Sequence, residues 1–341
     1  MSKYFLSKVT LSFLGLFSIS SFAENNESGN YRIEGSHSVI FPLKNKNLET
    51  NSIDNDTLSG IKTIQLNTIS VSDIFKEKNK LAIQEMNINN VEFDYKNGIT
   101  PFTNSATSID LGMGSVPVLD QGVHGTPVTF SSVAALAAKL KQGDLLDLQC
   151  SFVLTNLFHD RNFFNNFEHP GQIVDLFKKY GIIHKNDCFG HKYPDPYQVV
   201  TLAQYLTKSD KSYASQLTYH YSDKTNANLL KTTLKAGYRV VISAALADTS
   251  DPISVNGFDV KIKGTTNPYD GGLWACKQPG NSSNYCADQN AGHTMIVTGY
   301  DDKQQLFKIR NSWGASAGEK GNYYMTYSFF NAMVIDQTEF R

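Results

Sequence analysis

Gln121-Gly122-Val123-His124-Gly125-Thr126-Pro127-Val128-Thr129-Phe130-Ser131 is the stretch on which the reading of this chain turns. Thr126 is an N-cap type of residue, and proline is favoured at the first helical position, where its missing N–H has no intrahelical partner. Phe130, Val133, Ala134, Ala137 and Leu140 then recur at helical spacing, and Gly143 reads as a stop. The pattern predicts a helix from Thr126 to about Lys141, largely apolar and hence central to a core. Its first residue, Pro127, offers neither a nucleophile nor a backbone N–H.

Outward from this helix the pattern changes character. QIVDLFKKY predicts a second helix over Gly171–Tyr180, closed by Gly181. After about Leu234 strands dominate: Tyr238–Leu246, His293–Tyr300, Phe307–Asn311 and Asn322–Tyr327. Helices first and strands later imply an α+β protein with segregated layers. Upstream, residues 24 to about 60 are rich in Asn, Ser, Glu and Asp, and read as a loosely ordered leader. Ile61–Ile69 alternates as a strand, Ser72-Asp73 offers a helix start, and Val91–Tyr95 alternates again.

Two further motifs complete a constellation. His293 sits in GHTMIVTGY, and Asn311 and Trp313 in IRNSWG, with His293 and Asn311 18 residues apart. Together with Gln121, six residues before position 127, these resemble the papain-like cysteine peptidase family (cathepsin-type) over about 107–330. The resemblance implies a two-lobed α+β fold. A helical lobe would be built on the helix from about Thr126, and an antiparallel sheet or barrel lobe would start near residue 235. It also implies roles: Gln121 donating to an oxyanion, position 127 as nucleophile, His293 as general base, Asn311 orienting His293, and Trp313 shielding that hydrogen bond. The family's nucleophile is a cysteine whose own N–H is the second oxyanion donor. Pro127 removes both at once. His124 stands where the family often has a disulfide cysteine. The gap from position 127 to His293 exceeds the family's usual spacing, and the excess falls in 245–290, which reads as an insertion.

The chain of 341 residues carries 31 basic and 32 acidic residues, with no basic stripe to suggest nucleic acid or an anionic membrane. Lys3 and Lys8 precede the apolar run Val9–Ile19, and Ser21-Phe22-Ala23 gives small residues, so residues 1–23 read as a signal peptide cleaved after about Ala23. Export to the periplasm or outside the cell follows, with no membrane role after cleavage. Residues 24–105 have the place and size of a pro-segment, which could lie in the cleft. The peptidase-like domain would be 106–341. Four cysteines in an oxidising compartment favour disulfides. The sequential pairing, Cys150–Cys188 and Cys276–Cys286, is expected, since the second pair brackets the loop-like KQPGNSSNY. No CxxC or HxxxH spacing supports zinc, and no metal or organic cofactor is implied.

The leading functional expectation is an exported, inactive papain-like homologue that binds a polypeptide or protein ligand in or near the former cleft. Two alternatives stay open. One is an active peptidase or acyl-transfer enzyme with a displaced nucleophile, for which Thr126 and Thr129 are the nearest candidates. The other is an interaction module working through 245–290.

Overall fold

A computed structural model describes residues 30–42, 60–89, 95–158, 169–195, 198–246, 257–264, 271–277, 286 and 291–341. In chain order the strands are β1 (Tyr31–Pro42), β2 (Ile61–Val71), β3 (Ser108–Asp110), β4 (Tyr219–Ser222), β5 (Val240–Leu246), β6 (Phe258–Val260), β7 (Gly271–Trp274), β8 (Ala291–Asp301), β9 (Leu306–Arg310), β10 (Asn322–Thr326) and β11 (Val334–Phe340). The helices are α1 (Asp73–Asn89), α2 (Pro127–Leu140), α3 (Leu148–Phe158), α4 (Gly171–Tyr180), α5 (Leu202–Lys208), α6 (Ala227–Lys235) and α7 (Tyr327–Met333). All strands join one sheet, ordered β4-β11-β5-β8-β9-β10-β7-β6, with β3 and the β1–β2 pair attached to β8. The protein has an α+β fold.

β8 is the spine. It carries only one charged side chain, Asp301 at its end, and every residue along it is buried. Successive side chains of a strand face opposite ways, and the two faces of β8 meet different partners. Ile296 belongs to the core shared with α2, α3 and α4. Met295 and Val297 belong to the core on the other side, with β2, α1, α6 and α7. His293 has the parity of the second set. α2 is buried along nearly its whole length, as its apolar composition requires, and Ser131 Oγ donates to the Thr294 carbonyl at 2.9 Å, tying α2 to β8 beside His293.

The helices over 126–141 and 171–180 and the four late strands stand where the sequence places them, within a residue or two. Thr126 does occupy the N-cap position and Pro127 the first helical one. The Thr126 side chain makes no capping bond, however, because its hydroxyl pairs with the Tyr193 hydroxyl at 2.9 Å. The helix ends on Lys141 in the left-handed region (φ 56°), two residues before the expected glycine stop.

The sheet draws on more of the chain than the sequence suggests. Residues 31–42, read as part of a loosely ordered leader, form a strand paired with β2 over its whole length. Polar residues on its solvent side mask the period, while Val39 and Phe41 point into the core. The sheet is also not purely antiparallel: β10 and β7 run parallel, through Tyr324–Leu273 and Met325–Trp274. Within 245–290, β6 and β7 extend the sheet at that edge. Tyr95 lies in a short 3-10 turn (Tyr95–Asn97). The rest of the expected strand at 91–95, the expected signal peptide and most of the 277–285 loop lie outside the described residues. Both expected disulfides are present, Cys150–Cys188 and Cys276–Cys286, and all four cysteines are buried. No described helix is long and apolar enough to cross a membrane.

Candidate functional site

His293 is positioned by β8, Asn311 and Trp313 by the loop after β9, and position 127 by the start of α2. The His293 Nε2–H donates to Asn311 Oδ1 at 2.8 Å, and the same oxygen accepts the Ser312 N–H at 2.8 Å. This fixes the tautomer: Nδ1 carries the lone pair, and it has no hydrogen-bond partner among the described residues. Trp313 stacks on the imidazole with ring centres 4.6 Å apart. The ring is 2 % exposed, and this burial pushes its pKa down to about 4, against the opposing pull of the Asn311 bond. At neutral pH it is an uncharged base. The expected orienting and shielding contacts are therefore both present as geometry.

Pro127 is buried at the head of α2 and contributes no donor. Gln121 sits on the loop before it, held at both ends of its carboxamide. Its Oε1 accepts the Ser312 hydroxyl at 2.7 Å, and its Nε2 donates to the His124 carbonyl at 2.9 Å. Its backbone N–H also bonds the Ser312 carbonyl at 2.9 Å. The amide expected to face an oxyanion is thus engaged by its own loop. His124 is part of that loop, its ring set edge-on to Tyr193 with centres 5.8 Å apart.

Several residues of this neighbourhood escaped the sequence reading. Tyr193 fills the space beside the helix start, donating to the Gln121 carbonyl at 3.1 Å and packing its ring on Phe130. Ser312 clamps Gln121, though it lies inside the quoted NSWG motif. Three others come from the β1–β2 pair or meet it. Phe41 packs on Trp313 with ring centres 5.6 Å apart. Lys62, only 3 % exposed, pairs with Asp120, the residue before Gln121. Gly292 lets β2 approach: a Cβ there would lie 2.8 Å from Ile69 Cγ2. A signal for Lys62 did exist, since it shares the inward parity of Ile64 and Leu66 on β2.

Comparison with known proteins agrees with this picture. The model of the Peptidase_C39 like family matches residues 165–334. Cysteine proteinase 1 of Entamoeba histolytica is 30% identical over 213 residues, covering 60% of this chain and 58% of its own. Gamete and mating-type specific protein A of Dictyostelium discoideum is 27% identical over 232 residues, covering 67% of this chain and 44% of its own. The matched stretch thus spans only about half the length of either relative. Among solved structures, xylellain, a cysteine protease from Xylella fastidiosa, aligns over 73% of this chain and 93% of its own, with TM-score 0.48 and 18% identity. Digestive procathepsin L 3 of Tenebrio molitor aligns over 78% and 89%, with TM-score 0.48 and 20% identity. The family match and the motifs around Gln121, His293 and Asn311 support a papain-like cysteine peptidase family.

Proposed function

We propose that this protein is an exported pseudopeptidase, a family member that has given up hydrolysis and acts by binding a polypeptide. One observation carries the reading: the imidazole and its orienting asparagine are kept, and no thiol stands opposite them. Pro127 also takes away the N–H that would hold an oxyanion, and loss of one such donor typically costs a catalyst about 2.7–4 kcal/mol. A displaced nucleophile finds little support. The Thr126 hydroxyl is committed to Tyr193, and Thr129 is fully buried within the first turn of α2. In this reading residues 1–23 direct export, 24–105 remain as a leader, and 106–341 form the peptidase-like domain. Two buried disulfides support an oxidising destination. The polypeptide would meet the loop from Gln121 to Thr126, where Val123 is 48% exposed.

The test compares wild type with His293→Ala on a broad fluorogenic peptide library, alongside equilibrium binding of the same peptides. The expected result is background hydrolysis by both, with saturable binding by at least one class of extended peptide. Turnover by wild type that disappears in His293→Ala overturns the proposal.

A further inference from the structure

Residues 30–42 and 60–89 meet the rest of the protein at three main places. At the first, the Pro42–Ile61 end of the β1–β2 pair reaches the site. Phe41 and Lys62 are cross-strand partners on β1 and β2, and their inward side chains land on Trp313 and Asp120. Those two residues are themselves bridged through the backbone. At the second, β2 pairs with β8 through Asn67–Gly292 and Thr68–Ala291, the residues just before His293. Ile69 closes on Gly292 where no Cβ fits without displacement.

The third place is α1. Asn79 is buried, and its Nδ2 donates to the carbonyls of Cys286 and Ala332, both at 3.1 Å. Lys78 Nζ donates to the Val334 carbonyl at 2.8 Å and to the Thr225 hydroxyl. Val39, Phe41, Ile64, Leu66, Ile69, Phe75 and Met86 all lie in the core that also holds Met295, Trp313 and Phe330. A segment laid over a finished surface would leave a polar seam. Here an apolar core crosses the boundary, and the polar side chains beside it, Lys62, Lys78 and Asn79, are paired with the rest of the protein.

We propose that residues 30–42 and 60–89 are a fixed lid, a structural part of the fold that permanently occupies the Trp313 side of the cleft. The lid does not detach as a pro-segment would. Any polypeptide partner is thereby confined to the remaining rim at the Gln121–Thr126 loop. The inference rests on the pseudopeptidase reading for the cleft as a polypeptide site, but its own evidence is the shared sheet and core.

The experiment introduces a specific protease site between Asn89 and Tyr95 of the full chain and cuts it under native conditions. On size exclusion the N-terminal piece is expected to co-elute with the remainder and to leave only in denaturant. Departure of the piece on dilution, with a remainder that still melts cooperatively, overturns the lid. A second measurement follows carbethoxylation of histidines by mass spectrometry. In intact and nicked protein, His293 is expected to react slower than the exposed His220 by about ten-fold or more, because modification must wait for local opening. Reaction of His293 at the His220 rate overturns the lid as well. Phe41→Ala with Lys62→Ala should speed His293 modification, and Gly292→Ala serves the same purpose if the double variant does not fold. Unchanged His293 protection in variants that do fold counts against the lid. Peptide turnover by wild type, with the piece retained and His293 protected, would sink the pseudopeptidase reading alone.

Discussion

At the residue scale, burial decides the charge of His293. The ring is sealed from water, its one hydrogen bond goes to a neutral carboxamide, and its pKa falls from 6.5 to about 4. In the unfolded chain the same ring protonates near 6.5. As pH falls from 6.5 towards 4, the unfolded state therefore takes up a proton that the folded state refuses. The stability that His293 contributes is full above 6.5 and is lost as pH drops towards 4, by about 3 kcal/mol in all. His293→Gln keeps a polar side chain but removes the titration. Urea unfolding at pH 7 and pH 4.5 should show wild type losing about 2–3 kcal/mol more than the variant between the two. Equal losses would mean that the ring titrates as a free histidine and that the site is open to water. The same neutrality bears on chemistry, because an uncharged imidazole gives no ionic help to a thiolate. Proline at 127 and an acid-resistant histidine thus both fit the pseudopeptidase proposal.

At the scale of elements, the contact between β2 and β8 sets how closely the hairpin sits over the site. Gly292→Ala places a methyl against Ile69 Cγ2, and overpacking of this kind typically costs about 1–3 kcal/mol. Ile69→Ala removes the opposing atoms and costs about 2–5 kcal/mol alone, as a buried large-to-small change. The double variant should be less destabilised than the two singles added together, since each relieves the other, and a thermal double-mutant cycle reads that coupling. Additive losses would mean that Ile69 does not rest on Gly292. His293 Nδ1, Asn311 Nδ2 and Trp313 Nε1 are buried without partners among the described residues, at about 1–3 kcal/mol for each such group. The seven apolar side chains that the segment buries, at about 1.5–3 kcal/mol apiece, outweigh them. Elements whose signal is local were legible: α2 and α4 by period, β8 and β9 by their apolar runs, and the His–Asn pair by its motif. β1 was not, because half its residues face solvent and its meaning comes from β2. Gln121 shows the same limit within the site. Its presence is written in the sequence, but its capture by Ser312 and His124 depends on a contact between loops far apart in the chain.

At the scale of the whole molecule, the two disulfides divide the work unequally. Cys150–Cys188 closes a separation of 38 residues within the helical core, and Cys276–Cys286 one of 10 residues at the opposite side. Loop-closure entropy alone ranks the first above the second, at roughly 4 against 3 kcal/mol. Position reverses their importance for the lid. The Cys286 carbonyl accepts from Asn79 of α1, so the short bridge also holds an acceptor that anchors α1. Replacing Cys150 and Cys188 by serine should therefore give the larger fall in melting temperature while leaving the leader as protected as in wild type. Replacing Cys276 and Cys286 should give the smaller fall, yet make residues 30–89 the first segment cut in limited proteolysis. Mass spectrometry of the early fragments distinguishes the two patterns. If both pairs expose the leader equally, the lid follows global stability alone, and the Cys286–Asn79 contact has no special part in holding it.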